Sequence, residues 1–403
     1  MNDKKSFRKG ALCGALVMLL IAAAGFGVIK VGERYILGNG AAAAQVSSQG
    51  QTERKLTNLG RLIDHYYLYT DEMDNQALQD GIYTGYVNGL GDPYTVYYDK
   101  EQTKQLLETT SGEYSGIGAG LVTDTETNAV TITNVYKDSP AEEAGVKEGD
   151  ILYQVDDHVI SDEDLTEIVS WIKGKEGTKV TLHVYRGSAM EEVTCTAKRR
   201  SLKVQTVDYE MKENQVGYIH ITEFDKVTYD QFKDALADLE NQGMKGLVID
   251  LRSNPGGDLD TVVNMLKLLL PKGMVVYTED KAGGRTEYKN EKDHEFTMPM
   301  TVLVNQYSAS AAEIFSGAVQ DYKVGTIVGT TTYGKGIVQQ LMDLGDGTCL
   351  KVTIAEYFLP SGRSIHKKGI KPDVEVEYKA DSNNAAADNQ LDKALEVLQG
   401  KIQ

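Results

Sequence analysis

Hydrophobic residues follow different periodicities along this chain, and each change of period predicts a change of structure. In the first region, apolar side chains recur three or four positions apart, at Leu56, Leu59, Ile63 and Tyr66, as they do in amphipathic helices. The stretch GLGDPYTVYYD at 89–99 contains a proline and two glycines, which should interrupt the helices. We therefore predict a helical segment over residues 53–111.

Short alternating stretches, typical of half-buried strands, fill residues 112–200. AVTITNVY, TKVTLHVYRG and EEVTCTAKRR predict strands, and SPAEEAG predicts a short helix before a glycine turn. SDEDLTEIVSWIK predicts a longer helix, which opens on an approximate capping box of Ser161 and Asp164. This region is expected to form a β-rich module with two helices.

Strand and helix patterns alternate from residue 201 to residue 380. The apolar runs VGYIHI, GLVIDL and MPMTVLVN predict strands, whereas YDQFKDALADLENQG and DLDTVVNMLKLLL predict helices. Such alternation favours an α/β core. For the tail, 381–403, we predict a polar spacer followed by a short amphipathic helix, LDKALEVL.

The N-terminus carries basic residues ahead of an apolar run. Four lysines and arginines among the first nine residues precede GALCGALVMLLIAAAGFGVI, 20 residues without a charge. This length suffices to span a bilayer, and the basic flank should remain in the cytoplasm. We predict a cytoplasmic tail at 1–9, a transmembrane anchor at 10–29 and a flexible linker at 30–52. The protein would then be a single-pass protein of the cell membrane with its bulk on the extracytoplasmic side.

A cleaved signal peptide is the alternative for this N-terminus. The small residues at 41–45 resemble a cleavage site, but a cleavage site should lie close behind the apolar run. Lys30, Glu33 and Arg34 intervene. An uncleaved anchor is therefore the preferred interpretation.

Charge and cysteine content narrow the function. A net charge of −17 argues against a nucleic-acid partner, because phosphate binding needs a basic surface. The spacing of the three cysteines suggests no zinc site, and whether Cys195 and Cys349 pair is left open. No HExxH pair occurs among the six histidines, so metal-dependent hydrolysis has no support. We expect neither a metal nor an organic cofactor.

Three loops of the α/β region contain candidate catalytic residues. Ser310 lies in SASAAE just before a helical pattern, where a serine is usually a cap. Lys335 lies between two glycines, whose close packing would dehydrate its ammonium and lower its pKa. A neutral lysine can replace histidine as the base for a serine, although a surface lysine on a hairpin is the alternative. The glycines of NPGG, 254–257, leave N–H groups free for an oxyanion hole or simply form a sharp turn.

Taken together, these loops resemble those of the carboxy-terminal processing peptidases, which are tail-specific serine proteases with a Ser-Lys dyad. The resemblance extends from about residue 55 to residue 380 and includes GLGDPYT and YFLPSGRSIHKKGIKPDV. It implies a ClpP/crotonase-like αββ catalytic core at 201–380, hence an α+β or α/β multidomain protein. It also implies a nucleophile, a base and a residue that orients the base, here Ser310, Lys335 and Gln339. The implied oxyanion donors are the backbone N–H groups of Ala311 and of Gly256 or Gly257.

The β-rich module resembles a bacterial PDZ domain in YSGIGAGL, SPAEEAGVKEGDIL and the helix at 162–172. This resemblance implies a groove in which a substrate tail adds as a strand. The residues implied to bind the tail are Gly116, Ile117, Gly118 and Ala119. For the glycines alone, an ordinary tight turn would be the simpler interpretation.

We thus expect a membrane-anchored extracytoplasmic serine endopeptidase that cleaves substrate proteins near their C-termini. Its partners would be proteins or peptides with free C-termini, and the formation of homo-oligomers is left open. One alternative is a non-enzymatic PDZ-like scaffold on an inactive protease fold, which should lack some of the three catalytic residues. The other is a crotonase-like acyl-thioester enzyme, which would need neither a peptide groove nor a Ser-Lys pair.

Overall fold

The structure is a computed structural model that describes residues 39–124, 127–161, 163–293, 296–380, 384 and 387–402, with side chains from residue 50 onward. The described residues fall into two compact units, which divide between Gln79 and Asp80. The predicted anchor, 10–29, lies outside the described residues. None of the helices that the structure describes has both the length and the apolar character needed to cross a membrane.

Helices and strands appear in the order that follows. The helices of the described residues are α1 (Asn39–Tyr66), α2 (Asn75–Asn88), α3 (Lys100–Ser111), α4 (Pro140–Glu143), α5 (Leu165–Ile172), α6 (Thr228–Asn241), α7 (Leu259–Leu269), α8 (Ala311–Tyr322) and α9 (Asn389–Gln399). The strands up to residue 212 are β1 (Val96–Tyr98), β2 (Glu113–Gly116), β3 (Ala119–Thr123), β4 (Val130–Val135), β5 (Ile151–Val155), β6 (His158–Val159), β7 (Lys179–Arg186), β8 (Glu191–Lys198), β9 (Arg200–Lys203) and β10 (Val207–Lys212). Those that follow are β11 (Val216–Ile221), β12 (Gly246–Asp250), β13 (Gly273–Asp280), β14 (Arg285–Asn290), β15 (Met300–Val304), β16 (Thr326–Gly329), β17 (Ile337–Asp343), β18 (Cys349–Phe358) and β19 (Val374–Glu375).

Helix α1 begins inside the predicted linker. From residue 39 onward this stretch is helical, so the expectation of a flexible spacer over 30–52 is wrong for its described part. Residues 41–44 are four alanines, the strongest helix formers, which explains why a segment of small residues is helical here. The helical prediction for 53–111 agrees with α1, α2 and α3, apart from the short strand β1.

The β-rich module has a sheet in the order β3-β4-β5-β7-β8, with β6 paired to β5. Strands β2 and β9 pair with each other where the chain enters and leaves the module. Alternate strand residues, such as Ile132 of β4 and Leu182 of β7, are buried in one core together with Ile168 of α5. Asp164, rather than Ser161, caps α5, because its side chain accepts the N–H of Glu167. Strand β3 is at the sheet edge, so one side of its backbone has no neighbouring strand in this sheet.

A six-stranded sheet in the order β10-β11-β12-β15-β16-β19 forms the centre of the α/β region. In this sheet, the five strands β11, β12, β15, β16 and β19 are parallel, and β10 is antiparallel to β11. Leu247 and Ile249 of β12 pack in the cluster that includes α6, α7 and α8, whereas Val248 packs with α9. Helices therefore cover both faces, which is why these strands are continuous apolar runs.

A second sheet, antiparallel and not predicted from the sequence, has the order β1-β18-β13-β14, with β17 on the other side of part of β18. Many positions along β17 and β18 are only partly buried and several are polar, which obscures the strand pattern. Cys349 lies in this sheet and Cys195 in the β-rich module, and both are free thiols. The question of a disulfide is thereby answered, since Cys195 and Cys349 are not bonded to each other.

Candidate active site

Three loops follow three adjacent parallel strands and meet at one edge of the central sheet. NPGG follows β12, SASAAE follows β15 and YGKG follows β16. The carboxyl ends of neighbouring parallel strands lie side by side, which is where α/β sheets place their ligand sites. A cavity of about 440 Å³ opens there. It is lined by all six residues implied for catalysis: Ser310, Ala311, Lys335, Gln339, Gly256 and Gly257.

Ser310 immediately precedes helix α8 and has an unusual backbone, with φ 53° and ψ −114°. Such a conformation costs about 1–3 kcal/mol for a residue with a side chain. Hydrogen bonds of the two preceding residues hold it, because the Ala309 N–H donates to the Asn254 carbonyl (2.9 Å) and the Tyr333 N–H to the Ser308 carbonyl (3.0 Å). The turn exposes Ser310 to the cavity.

Ser308, the other serine of the motif, has a structural environment. It is fully buried, and its hydroxyl donates to the Leu251 carbonyl at 2.7 Å. Its Oγ also accepts the N–H of Asn305 at 2.9 Å. Ser308 thus joins the β15 loop to the end of β12 and does not line the cavity.

Lys335 is partly buried, with its ammonium 4.9 Å from the centre of the Tyr94 ring. Burial lowers its pKa, and the positive charge of Lys351 acts in the same direction, against the opposing charges of Asp92 and Glu313. The flanking glycines permit this close packing. A Cβ on Gly336 would lie 2.5 Å from the main-chain nitrogen of His366.

Glu313 joins the serine and lysine loops. Its side chain is fully buried and accepts four hydrogen bonds, from the N–H groups of Ser310 (2.9 Å), Gly334 (2.7 Å) and Lys335 (2.8 Å) and from the Thr332 hydroxyl (2.5 Å). From the sequence, Glu313 is three residues past Ser310 and so lies one helical turn away, where a supporting role is expected. In the structure it sets the distance between the two loops.

Tyr357 makes a second connection between the same loops. Its hydroxyl lies 3.1 Å from the Ser310 carbonyl oxygen and 2.5 Å from that of Lys335. Burial raises the pKa of Tyr357 well above its usual range, so the hydroxyl remains a donor. Tyr357 was not predicted to be a site residue, although it begins the motif YFLPSGRS.

Gln339 is on β17, and its side-chain amide donates to the Thr353 hydroxyl at 3.5 Å. The Thr353 and Thr95 hydroxyls donate to Asp92 at 2.7 and 2.6 Å. Burial opposes the charged form of Asp92, but these hydrogen bonds outweigh it and lower the pKa of its carboxyl. The GLGDPYT turn, interpreted from the sequence only as a helix break and a family motif, therefore supplies Asp92 and Tyr94 to the site.

The NPGG turn distinguishes its two glycines. Asn254 holds the turn, since its side-chain amide donates to the Ile221 carbonyl and its Oδ1 accepts the Gly256 N–H, each at 2.8 Å. Within the described part of the chain, the N–H of Gly257 has no acceptor. A Cβ on Gly256 would lie 2.7 Å from the Ser310 Cβ. This contact shows how closely the turn approaches the serine.

Arg252 forms ion pairs just before the NPGG turn. Its guanidinium pairs with Asp250 at 2.6 Å and with Asp388 at 2.7 Å. It thereby connects the end of β12 to the residue that caps α9.

A second cavity, of about 300 Å³, lies in the β-rich module between β3 and α5. All four residues implied for tail binding line it, Gly116, Ile117, Gly118 and Ala119, together with Val169 and Ile172 of α5. Gly118 has φ +78°, and a Cβ there would lie 2.6 Å from the Ser139 Cβ. The loop can approach its neighbours this closely only with glycine.

Comparison with known protein families finds two matches. The pattern of peptidase family S41 matches residues 215–376, and that of the PDZ domain matches residues 131–186. The first covers the five parallel strands of the central sheet and all three site loops. The second covers most of the β-rich module.

Individual relatives give the same result over a longer stretch. The carboxy-terminal processing protease CtpA of Bacillus subtilis (strain 168) is 39% identical over 310 residues, which are 77% of this chain and 66% of that protein. A probable CtpA-like serine protease of Staphylococcus epidermidis (strain ATCC 35984) is 38% identical over 330 residues, 81% of this chain and 65% of that protein. One from Staphylococcus aureus (strain N315) is 37% identical over 340 residues, 83% of this chain and 67% of that protein. The chain thus spans just under two thirds of the length of the first two.

Among solved structures, the photosystem II D1 C-terminal processing protease is similar, with 28% identity and a TM-score of 0.46. The similarity covers 80% of this chain and 88% of that one.

Proposed function

Because the chain belongs to peptidase family S41 and contains a PDZ domain, we propose that it is a serine endopeptidase that cleaves proteins near their C-termini. The observation that carries the proposal is the single cavity that Ser310 and Lys335 both line. Relatives named as carboxy-terminal processing proteases support the position of cleavage. The proposal of an inactive scaffold is not favoured, because none of the three catalytic residues is replaced.

In the proposed mechanism, neutral Lys335 accepts the proton of the Ser310 hydroxyl as its oxygen attacks the scissile carbonyl. The lowered pKa of Lys335 supports this role, since an ordinary lysine is almost fully protonated at neutral pH. The protonated lysine then gives that proton to the leaving amine, and an acyl ester remains on Ser310. Water, with Lys335 again as base, hydrolyses the ester and releases the second product.

The oxyanion that forms during attack would accept hydrogen bonds from the N–H groups of Ala311 and Gly257. Gly257 is preferred over Gly256 because the Gly256 N–H already donates to Asn254. Ala311 is the first residue of α8, so its N–H also lies at the positive end of the helix dipole. Donors that are fixed before the charge appears stabilise a transition state at little reorganisation cost.

Gln339 would orient Lys335 from β17, with its own side chain positioned through Thr353 and Asp92. This role is consistent with the hydrogen bonds from Gln339 to Thr353 and from Thr353 to Asp92. Asp92 also stabilises the charged form of Lys335 and so raises the pKa of that base. The same carboxylate therefore affects the protonation of Lys335 and, through Thr353, the position of the Gln339 amide.

The substrate tail would bind in the groove between β3 and α5, as an added strand on β3. The unpaired edge of β3 supplies backbone groups for such a strand, and Val169 and Ile172 supply an apolar wall. The terminal carboxylate would accept hydrogen bonds from the N–H groups at Ile117 and Gly118. We further propose that residues 10–29 anchor the protein in the cell membrane, with the protease on the extracytoplasmic side.

A cleavage assay tests the proposed activity. The purified full-length protein is incubated with proteins and peptides that have free C-termini, and products are mapped by mass spectrometry. Cleavage near the C-terminus is expected from the parent and not from Ser310→Ala, with Ser308→Ala as the matched serine variant. Equal cleavage by the parent and Ser310→Ala, or hydrolysis of an acyl thioester instead of peptides, would overturn the proposal.

A further inference from the structure

One wall of the active-site cavity carries a buried carboxylate that the proposed mechanism does not use. Asp225 is 5% exposed and lines the cavity together with Glu223 and Asp258. Among the described residues, no lysine, arginine or histidine pairs with any of these three carboxylates, and no hydrogen bond is formed by the Asp225 side chain. The residue is buried, but its carboxylate is not among the fully enclosed unpartnered polar groups, so the exposed part of Asp225 lies on the cavity side, where it is open to a ligand. A charged group in so confined a place is unfavourable without a partner.

The backbone holds Asp225 next to the proposed oxyanion turn. The N–H of Phe224 donates to the Gly256 carbonyl at 2.9 Å, and the N–H of Asp258 donates to the Phe224 carbonyl at 2.6 Å. Residues 223–225 therefore run beside 256–258. On its other side, Asp225 faces Gly112 at the end of α3, where a Cβ would lie 3.3 Å from its Oδ2. The carboxylate thus has a defined position beside the cavity.

The surroundings make this wall negative. Burial raises the pKa of Asp225 to about 7, and the charges of Glu223 and Asp258 act in the same direction. Asp258 accepts the N–H of Thr261 at 2.8 Å and so caps α7, and as a second carboxylate it adds negative charge beside Asp225. A positively charged ligand group would relieve all three carboxylates at once and would favour the ionised form of Asp225.

We propose that Asp225, with Glu223 and Asp258 beside it, forms a subsite that binds a lysine or arginine side chain of the substrate close to the scissile bond. The subsite rests on the proposed protease activity and specifies its substrate class. Leu106 and Leu259 also line the cavity, so the methylene groups of a long basic side chain have apolar surface to pack on while its charge meets the carboxylates. The three carboxylates are not arranged as a metal-ligand set, nor is any other acidic, histidine or cysteine group in the described part of the chain.

Peptide binding tests the subsite without relying on turnover. Ser310→Ala full-length protein is titrated with peptides that share one C-terminal sequence and carry either lysine or norleucine at each position around the cleavage site. Norleucine keeps the chain length and removes the charge. At one position, lysine should bind about tenfold more tightly than norleucine. Equal affinities at every position would overturn the proposal.

Asp225→Asn in the Ser310→Ala background should bring the lysine-to-norleucine affinity ratio close to one. Asp234→Asn is the matched control, because it removes the same charge from an exposed position of α6. Thermal unfolding of each variant shows whether it folds. If Asp225→Asn is unfolded, the role of Asp225 is tested instead in the Ser310→Ala protein, by the pH dependence of its lysine-to-norleucine affinity ratio.

The ratio should rise between about pH 6 and pH 8, as Asp225 loses its proton. The charged groups that line the cavity beside Asp225 are Glu223 and Asp258 on its own wall, while Thr109, Thr110 and Leu106 of α3 carry no charge. Lys335 and Lys351 line the same cavity, and the charge on Lys335 repels a substrate lysine but not norleucine, so the pH series is repeated with Lys335→Met in the Ser310→Ala background, where the rise should persist. A ratio above one that does not change with pH would overturn the role of Asp225.

The outcomes also separate the subsite from the protease proposal. If the parent cleaves no peptide, or Ser310→Ala cleaves as the parent does, the protease proposal fails, and the binding ratios still judge the subsite. If cleavage depends on Ser310 but lysine and norleucine peptides bind equally, only the subsite fails.

Discussion

The Glu313 carboxylate lies 2.8 Å from the main-chain nitrogen of Lys335, and this contact joins the helix after the proposed nucleophile to the loop of the proposed base. The same carboxylate accepts the N–H of Ser310 at 2.9 Å. The separation of Ser310 and Lys335 therefore depends on a residue that does not itself line the cavity. This arrangement makes the site sensitive to changes that leave both catalytic side chains intact.

Replacing Glu313 with glutamine should impair activity and stability together. A glutamine side chain has one acceptor oxygen where glutamate has two, so at least one buried donor loses its partner. An unsatisfied buried donor costs about 1–3 kcal/mol. We expect a lower melting temperature and a kcat reduced at least tenfold, measured by thermal unfolding and peptide cleavage. Glu240→Gln, at an exposed position, is the control, and a Glu313→Gln enzyme with normal kcat would contradict this role.

Lys335→Arg should abolish turnover while peptide binding persists. Arginine keeps the positive charge, but its guanidinium stays protonated and cannot accept the serine proton. Loss of a general base costs about 10²–10⁴-fold in rate. The measurements are kcat on a cleavable peptide and binding of its tail. A near-normal kcat would exclude Lys335 as the base and would bring His220 or His366 into consideration, although neither lines the cavity.

The pH profile of the parent should follow Lys335. Because the neutral lysine is the active form, kcat/KM should rise with pH and level off above its lowered pKa. Lys351→Met removes a charge that lowers this pKa, so the profile should move to higher pH. Asp92→Asn removes a charge that raises it, so the profile should move to lower pH. Lys233→Met, at an exposed position of α6, serves as the control. Shifts in the same direction for Lys351→Met and Asp92→Asn would refute the assignment of the profile to Lys335.

The proposed tail groove predicts that a free C-terminus matters. Amidation removes the charged acceptor, and hydrogen bonds to charged groups are worth about 1.5–3 kcal/mol, so binding should weaken at least tenfold. The test compares acid and amide forms of one peptide by fluorescence anisotropy on Ser310→Ala protein.

Two glycine variants test whether the groove is responsible. Gly118→Ala should weaken binding of the acid form, because its Cβ would meet Ser139. Gly187→Ala is matched, since Gly187 also has a positive φ but has open space around it. Equal binding of acid and amide peptides, or equal effects of the two variants, would count against the groove.

The N-terminal sequence predicts the topology of the protein in cells. With residues 10–29 as an uncleaved anchor, a protease added to cells stripped of their wall should digest the large C-terminal part. The remaining fragment should stay with the membrane fraction, as judged by immunoblotting with an antibody to an N-terminal tag. A full-length protein that resists digestion until the cells are lysed would show that this topology is wrong.

The sequence predicted the serine and lysine loops, the glycine turn and the β-rich module, through local patterns and through their resemblance to known families. Each of these features depends on residues close together in the chain, such as the glycines that flank Lys335 or the alternating strands of residues 112–200. Local sterics and periodicity govern such segments, so their residue types indicate their structure. The parallel strands were equally visible, because burial on both faces makes them apolar runs.

Tertiary structure alone decided how the site is assembled. Thr353 donates to Asp92 across 261 positions of sequence, and Tyr357 lies between the carbonyls of Ser310 and Lys335. Both contacts depend on the second antiparallel sheet, whose strands carry a mixed polar pattern and pair over long distances. Contacts between separate loops also decide that the N–H of Gly257, rather than that of Gly256, remains free. The same contacts bury Asp225 beside this turn. No local pattern encodes such contacts, because their free energy arises only when the folded sheets bring the loops together.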